Sequence, residues 1–353
     1  MKERCSNFEL LRILCMLLVV CGHILIWSNT SFNSQELLGG ADYALVQFFR
    51  GFTVVAVNVF VLISGYWGIK LKLNKLIRMD LMVLFYSLFF LFISIYFGKD
   101  ILFSTKSLTH YFPIISNKYW FITSYFTLCL LSPFLNKFLK NINKKELELY
   151  LIVSFILFYL WPTVSYILNF DQVVKDAGYG VINFVILYTT GYYIRHYFQS
   201  NFSSIIWIIM YIVLCIILFL FQITYSHILG FSFTALYSYN TVFVYFASIA
   251  LFMAFKQLKF KSNLINILSV NCFSVYIIHM SSPFMEWVDT IFKYSEMKGI
   301  MIIVLAIILS LLIYLFCIII EYLRKLVCGK PENYFVEKLH SLWNKYYPNL
   351  EVW

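Results

Sequence analysis

Four side chains in this 353-residue chain carry charge or a titratable ring among apolar neighbours: Arg12, His23, Arg50 and His279. Two of them share one run, Phe8-Glu-Leu-Leu-Arg12 through to His23, and stand eleven residues apart. At about 100° per residue, eleven steps bring an α-helix back to within roughly 20° of the same face, with a rise of about 16 Å. Arg12 then lies near one mouth of a hydrophobic helix and His23 lies deeper, both pointing the same way. An ionisable residue inside a membrane span is expensive, which favours a functional reason for it. Histidine titrates near neutrality. Neutral imidazole can take a proton from a hydroxyl as that oxygen attacks a carbonyl.

The remaining polar positions admit two readings each. Glu9 stands at i, i+3 from Arg12. The pair is either an internal ion pair that lets Arg12 tolerate the membrane edge, or part of a clamp in which the guanidinium fork takes a phosphate or pyrophosphate. Lys70, Lys72, Lys75 and Arg78 follow the second apolar run, and Lys75 and Arg78 share a helical face. They either anchor the chain on the positive side of a membrane or offer a surface to a nucleotide-bearing donor. Asn58 and Ser64-Gly65-Tyr66 give that second run a polar seam, and Gly65 permits close helix approach. Tyr119 and Trp120 form either an interfacial belt or a stacking platform for a sugar ring. Arg50 and His279 fall at about the depth of His23 and would form with it one polar layer in the outer third of a bundle. Each could instead be satisfied by a backbone carbonyl or by snorkelling. His110, His196, His227 and His340 are assigned no role. The eight cysteines show no disulfide or zinc spacing, so no metal site is expected.

Such a layer must be held by helices. The chain is 61% hydrophobic and 12% charged, with a mean hydropathy of +0.80. Repeated apolar stretches of about 20 residues mark an all-α polytopic membrane protein. Ten spans are predicted, at 8–27, 45–69, 76–97, 119–138, 147–168, 180–198, 202–223, 235–256, 264–283 and 299–323. Pro162 interrupts the fifth. With the amino terminus in the cytoplasm, nineteen of the 27 Lys and Arg residues fall in inner segments and six in outer loops. That asymmetry predicts both termini inside. It also explains the net charge of +10 as topology and argues against nucleic acid as a partner. The first run lacks a small-x-small cleavage site and Arg12 interrupts its start, so it reads as a retained span. The longest outer connection, about 98–118, is too short for a catalytic module. Residues 1–323 therefore form one transmembrane domain, and 324–353 an amphipathic, aromatic tail along the inner interface.

These segments together resemble the acyltransferase 3 family of integral membrane acyltransferases. Asn7-Phe-Glu-Leu-Leu-Arg12, ten residues and then His23 are similar to its first-helix signature. Val57-Asn-Val-Phe-Val-Leu-Ile-Ser-Gly-Tyr66 is similar to its second-helix motif. Tyr119-Trp-Phe-Ile-Thr-Ser-Tyr125, continuing to Leu131-Ser-Pro-Phe-Leu135, resembles its Trp-Phe segment, and Gly191-Tyr-Tyr-Ile-Arg195 and Phe273-Ser-Val-Tyr-Ile-Ile-His279 resemble later stretches. The resemblance runs from the first span to the last. It implies an O-acyltransferase of a bacterial plasma membrane, with His23 catalytic as general base or acyl carrier. The co-substrate would be acyl-CoA, most often acetyl-CoA, held by Arg12, Lys75 and Arg78, with no bound cofactor. The acceptor would be a hydroxyl of a capsular-type polysaccharide or its lipid-linked precursor. Some relatives carry two arginines where this chain has Lys75 and Arg78, and a lysine keeps the charge but loses the bidentate fork. A transporter or polysaccharide polymerase is the rival reading, although neither two related halves nor a large outer loop is found.

Overall fold

The computed structural model describes residues 4–28, 40–97 and 111–346, and among these there is helix and no strand. The helices are α1 (Ser6–Ser28), α2 (Ala41–Thr53), α3 (Ala56–Trp67), α4 (Leu73–Tyr96) and α5 (Trp120–Asn141). There follow α6 (Lys144–Phe155), α7 (Trp161–Leu168), α8 (Val181–His196), α9 (Ser204–Leu229) and α10 (Val242–Lys256). Last come α11 (Asn263–Ser269), α12 (Cys272–His279), α13 (Ser282–Phe292) and α14 (Ile300–Tyr346). His110, Lys99 and Lys106, with most of the predicted 98–118 connection, lie outside the described residues, as does Tyr347.

Every predicted span interval holds helix, but not every helix meets the demands of a crossing. Seven are long and apolar enough among the described residues, and an eighth arises if the broken α11–α13 unit counts as one. Helix α8 has 16 residues and reaches about 24 Å, short of a hydrocarbon core of about 30 Å. Helix α5 carries Thr123, Ser124, Ser132, Asn136 and Lys137 along its length. Large apolar side chains of α9 and α14, among them Ile205, Ile209, Leu312 and Ile319, are exposed on the outside of the bundle. Only a bilayer makes such a surface favourable over this extent.

Helix α1 is central. It packs against α2, α3, α10, α11, α12 and α14, so residues on any of its faces meet protein. The Asn7 amide donates to the Phe255 carbonyl at 3.1 Å, tying its start to the end of α10. Helices α3 and α8 cross with their backbones nearly touching. A Cβ added at Gly65 would lie 2.0 Å from the Tyr188 carbonyl oxygen, and one at Gly191 would lie 2.4 Å from that of Leu62. The close approach expected at Gly65 is therefore present, with a second glycine as its counterpart.

The structure adds detail to three sequence expectations. Pro162 interrupts the span locally without ending it. A π-helical turn at Ile156–Leu160 widens the backbone just before it, which accommodates the proline ring and its missing N–H. The predicted span 264–283 is not straight: α11–α12 and α13 meet at 87°. Pro283 at the start of α13 disfavours a helical conformation for the residue before it, and the chain turns there. The boundary placed at 323/324 falls inside α14, which has 47 residues and a length of about 70 Å. Its second half lies against α4 through ionic contacts. Arg324 donates to Glu321 at 2.9 Å and to Glu332 at 2.9 Å. Tyr86 donates to Glu321 at 2.8 Å. Arg78 pairs with Glu332 at 3.6 Å.

Candidate active site

His23, on the central helix, and His279, the last residue of α12 before the bend, are brought together. His23 Nδ1 lies 2.9 Å from His279 Nε2, and His279 Nδ1 lies 2.6 Å from the Val275 carbonyl oxygen. A carbonyl can only accept, so His279 Nδ1 carries a proton. In the neutral ring its Nε2 then holds a lone pair. His23 Nδ1–H must therefore donate to it, which leaves the lone pair of His23 on Nε2. No described residue hydrogen-bonds that second nitrogen. His279 thus bridges a carbonyl one turn back on its own helix and the neighbouring α1.

His23 opens into a cavity of about 90 Å³ that Arg50, Thr53, Trp120, Tyr179, Tyr237, Tyr239 and Tyr276 also line. Arg50 has no carboxylate partner among the described residues. It donates to the Gln47 side chain at 3.3 Å, and its guanidinium lies 5.2 Å from the centroid of the Tyr237 ring. The Tyr276 hydroxyl is buried, and no described residue accepts its proton. A base, a cation and an unsatisfied donor thus face one aromatic-walled space. Trp120 packs edge-on to Tyr179 with centroids 4.4 Å apart and lies 5.4 Å from Tyr239.

Asn58 does not line this cavity. It is wholly buried, and it holds the wall from behind. Its amide donates to the Tyr239 carbonyl at 2.9 Å, and its oxygen accepts from Asn183 at 3.4 Å. Asn183 also donates to the Gly178 carbonyl at 2.9 Å. The two loops carrying Tyr179 and Tyr239 are thereby fastened to α3 and α8. Tyr119 is buried too, edge-on to Tyr276 at 6.4 Å, and only Trp120 of that pair reaches the cavity.

Arg12, one face-repeat along α1 from His23, lines a separate cavity of about 330 Å³ with Ser64, Lys70, Lys72, Lys75 and Tyr125. Arg12 pairs with Glu9 and keeps 32% of its side chain exposed. Glu9 also pairs with Arg4 at 3.6 Å. The ion pair and the cavity-facing position therefore coexist. Ser64 donates to the Phe60 carbonyl at 3.0 Å and meets the Tyr125 hydroxyl at 3.2 Å. Lys75 joins Arg12, but Arg78 does not. Its guanidinium bonds Asn333 at 2.5 Å beside Glu332, drawn to the acidic residues of α14.

The sequence profile of an acyltransferase domain, that of the acyltransferase 3 family, matches residues 6–322. The chain belongs to that family. No curated protein and no solved structure matches the chain. Family membership and the lipid-facing helices make it a multi-pass membrane acyltransferase. The matched region contains both histidines, both cavities and the whole α4–α10 frame, so this acyltransferase domain is the unit to which the site belongs.

Sequence reasoning missed Tyr179, Tyr237 and Tyr239. Tyr179 lies in a loop without a periodic signal, and Tyr237 and Tyr239 precede α10 within the interval predicted as the span 235–256. Tyr179 does lie between Gly178 and Gly180, with Gly178 at a φ of 78°, a turn signature that marks a shaped loop. Tyr276 stands one helical turn before His279, and that spacing alone was a usable pointer.

Proposed function

We propose that this protein moves an acyl group, most simply acetyl, from acyl-CoA to a hydroxyl of a cell-surface carbohydrate or its lipid-linked precursor. The observation that carries the reading is the cavity shared by His23, Arg50 and the buried Tyr276 hydroxyl, beside the helix whose other face-repeat, Arg12, opens into the basic cavity. The lysine-rich end faces the cytosol of a bacterial plasma membrane, in a ten-span arrangement in which α5 and α8 complete the bundle. Coenzyme A phosphates rest at Arg12 and Lys75. The pantetheine arm then follows α1 for about 16 Å and delivers the thioester to His23.

In the direct route His23 Nε2 takes the proton of the acceptor hydroxyl as its oxygen attacks the thioester carbon. Negative charge develops on the carbonyl oxygen, where Arg50 and the Tyr276 hydroxyl supply a cation and a donor. The C–S bond breaks, and the thiolate takes the proton back from the imidazolium. The products are the O-acyl sugar and free CoA. Alternatively Nε2 attacks the thioester first and the C–S bond breaks to release CoA as the thiolate; the sugar hydroxyl then attacks the acyl carbon, the C–N bond breaks to restore the imidazole, and the hydroxyl proton goes to the thiolate. The tyrosines and Trp120 offer ring faces to the part of the sugar that carries the reacting hydroxyl.

Proton NMR of purified surface polysaccharide tests the reading in cells carrying the wild type, His23→Ala, or neither, with membrane expression verified. An O-acetyl signal present only with the wild type is expected. Full acetylation with His23→Ala would overturn the assignment of His23. A wild type that releases no CoA thiol in membranes would return the transporter reading. Acid quenching during turnover separates the routes, since only the second leaves acyl label on protein.

A further inference from the structure

A second cavity, of about 690 Å³, opens at the basic end beside the one that holds Arg12. The two share Trp67, Gly68, Ile69, Lys70 and Leu71, so the short segment linking α3 to α4 runs between them like a partition. Ligand pockets usually measure about 300–1,000 Å³. Both basic-end cavities fall in that range, whereas the one at His23 is sized for a reacting group and not for a whole ligand.

The larger cavity has the chemistry of a phosphorylated nucleoside. Lys70, Lys137, Lys140 and Arg195 converge on it, and no carboxylate among the described residues pairs with any of them. Arg195 is already oriented. It donates to the Tyr66 carbonyl at 2.9 Å and stacks 5.0 Å from the Trp67 centroid, which leaves most of its five N–H donors unused. Trp67, 42% exposed, lines the same space, as do Tyr192 and His196. Aromatic faces of this kind stack on a nucleobase.

The bland explanation for such cations is anchoring at a membrane surface, with Lys140 also favoured in the last turn of α5 by the helix dipole. Anchoring asks for cations spread along an interface. It does not ask for four of them around one concavity walled by exposed rings. An acyl-CoA donor carries two separate phosphate groups, a pyrophosphate next to the pantetheine and a 3′-phosphate on the ribose. If the pyrophosphate sits at Arg12 and Lys75, where the arm enters, the nucleoside must lie further out, and the 690 Å³ cavity adjoins that point.

We propose that this second cavity is the subsite for the donor's adenosine 3′-phosphate, with the Trp67–Leu71 segment dividing the two phosphate positions of one CoA. The inference rests on the acyl-CoA reading above. It assigns Lys137, Lys140 and Arg195 to the donor, and it makes Lys70 the cation common to both positions.

Calorimetric titration of the purified full chain in a neutral detergent, free of anionic lipid, with CoA and with 3′-dephospho-CoA tests it. The wild type should bind CoA about tenfold more tightly, the worth of one charge-assisted contact. Lys137→Gln/Lys140→Gln should lower CoA affinity to the 3′-dephospho-CoA level and hold the affinity for 3′-dephospho-CoA within about threefold, which also reports that the variant is folded. Equal wild-type binding of the two ligands would overturn the subsite and leave the donor reading intact. Equal weakening of both in the double variant would overturn it as well, because the lysines would then act only through their general field. No binding of either ligand would overturn the subsite together with the donor reading. Added anionic-lipid vesicles that lower the wild type's CoA affinity to its 3′-dephospho-CoA level, and leave the double variant's CoA affinity unchanged, would place the phosphate site at these lysines. Vesicles that bind there while CoA does not would assign the cavity to lipid and overturn the proposal.

Discussion

Replacing His279 by phenylalanine removes the acceptor that holds the His23 Nδ1 proton, while keeping a ring of similar size in a fully enclosed position. The hydrogen bond at stake is 2.9 Å long and is the only one His23 makes among the described residues. A net bond of about 0.5–1.5 kcal/mol biases the ring toward the tautomer with its lone pair on Nε2 by roughly 2–13-fold. Losing that bias, together with the ring orientation it fixes, should lower kcat by about 10–100-fold. The ceiling is the 10²–10⁴-fold that general-base catalysis supplies in total. The KM for acyl-CoA should move less than about threefold, because the donor's phosphates are bound about 16 Å away along α1. His279→Gln should recover most of the rate, since a glutamine amide can accept from His23 and donate to the Val275 carbonyl. Steady-state CoA release from acyl-CoA gives kcat and KM for each variant. Nitrogen-15 NMR of histidine-labelled protein reads the tautomer directly. A phenylalanine variant with kcat within about threefold of wild type would refute the reasoning, and so would a wild-type spectrum placing the His23 proton on Nε2.

Three further outcomes are expected. Arg50→Gln should lower kcat by about 10²-fold or more, the usual cost of removing a donor to a developing oxyanion, and Arg50→Lys should lower it less; a variant with unchanged kcat would exclude Arg50 from the reaction. Gly65→Ala or Gly191→Ala forces a methyl against a backbone carbonyl and should destabilise the bundle by about 1–3 kcal/mol or more, seen as a lower Tm in detergent, whereas Gly329→Ala, which meets nothing within 4 Å, should not. Arg78→Ala should lower thermal stability by removing the contacts that tie α4 to Glu332 and Asn333 of α14 and should leave the KM for acyl-CoA near wild type, while Arg12→Ala should raise that KM; the reverse order would return Arg78 to the donor site.

The contrast between Arg12 and Arg78 shows what kind of information the chain carries locally. The face shared by Arg12 and His23 follows from helix periodicity within one segment, and the structure keeps it. Whether Arg78 looks toward Arg12 or toward α14 depends on a residue 254 positions away, Glu332, that no periodicity connects to it. Gly65 was readable as a close-approach residue, but its counterpart Gly191 on α8 was not, because the crossing point is a property of two helices. Pro162 and Pro283 look alike in sequence. One is absorbed by a π-helical turn and the other accompanies an 87° bend, according to what packs around each.

Composition and the period of its apolar residues determined by themselves that this chain is an all-helical membrane protein, and that Arg12 and His23 stand on one face about 16 Å apart. These are consequences of helix geometry and of the solvent, and neither needs a partner segment. Tertiary structure alone decided that His279 sits against His23 at 2.9 Å, that Arg50 and four tyrosines close around them, and that the basic cations divide between two cavities and an ion-pair network. Those contacts join residues up to 256 positions apart. They depend on where α12 breaks, how closely α3 and α8 cross, and which side of α4 the last helix covers, all of which are set by packing between helices.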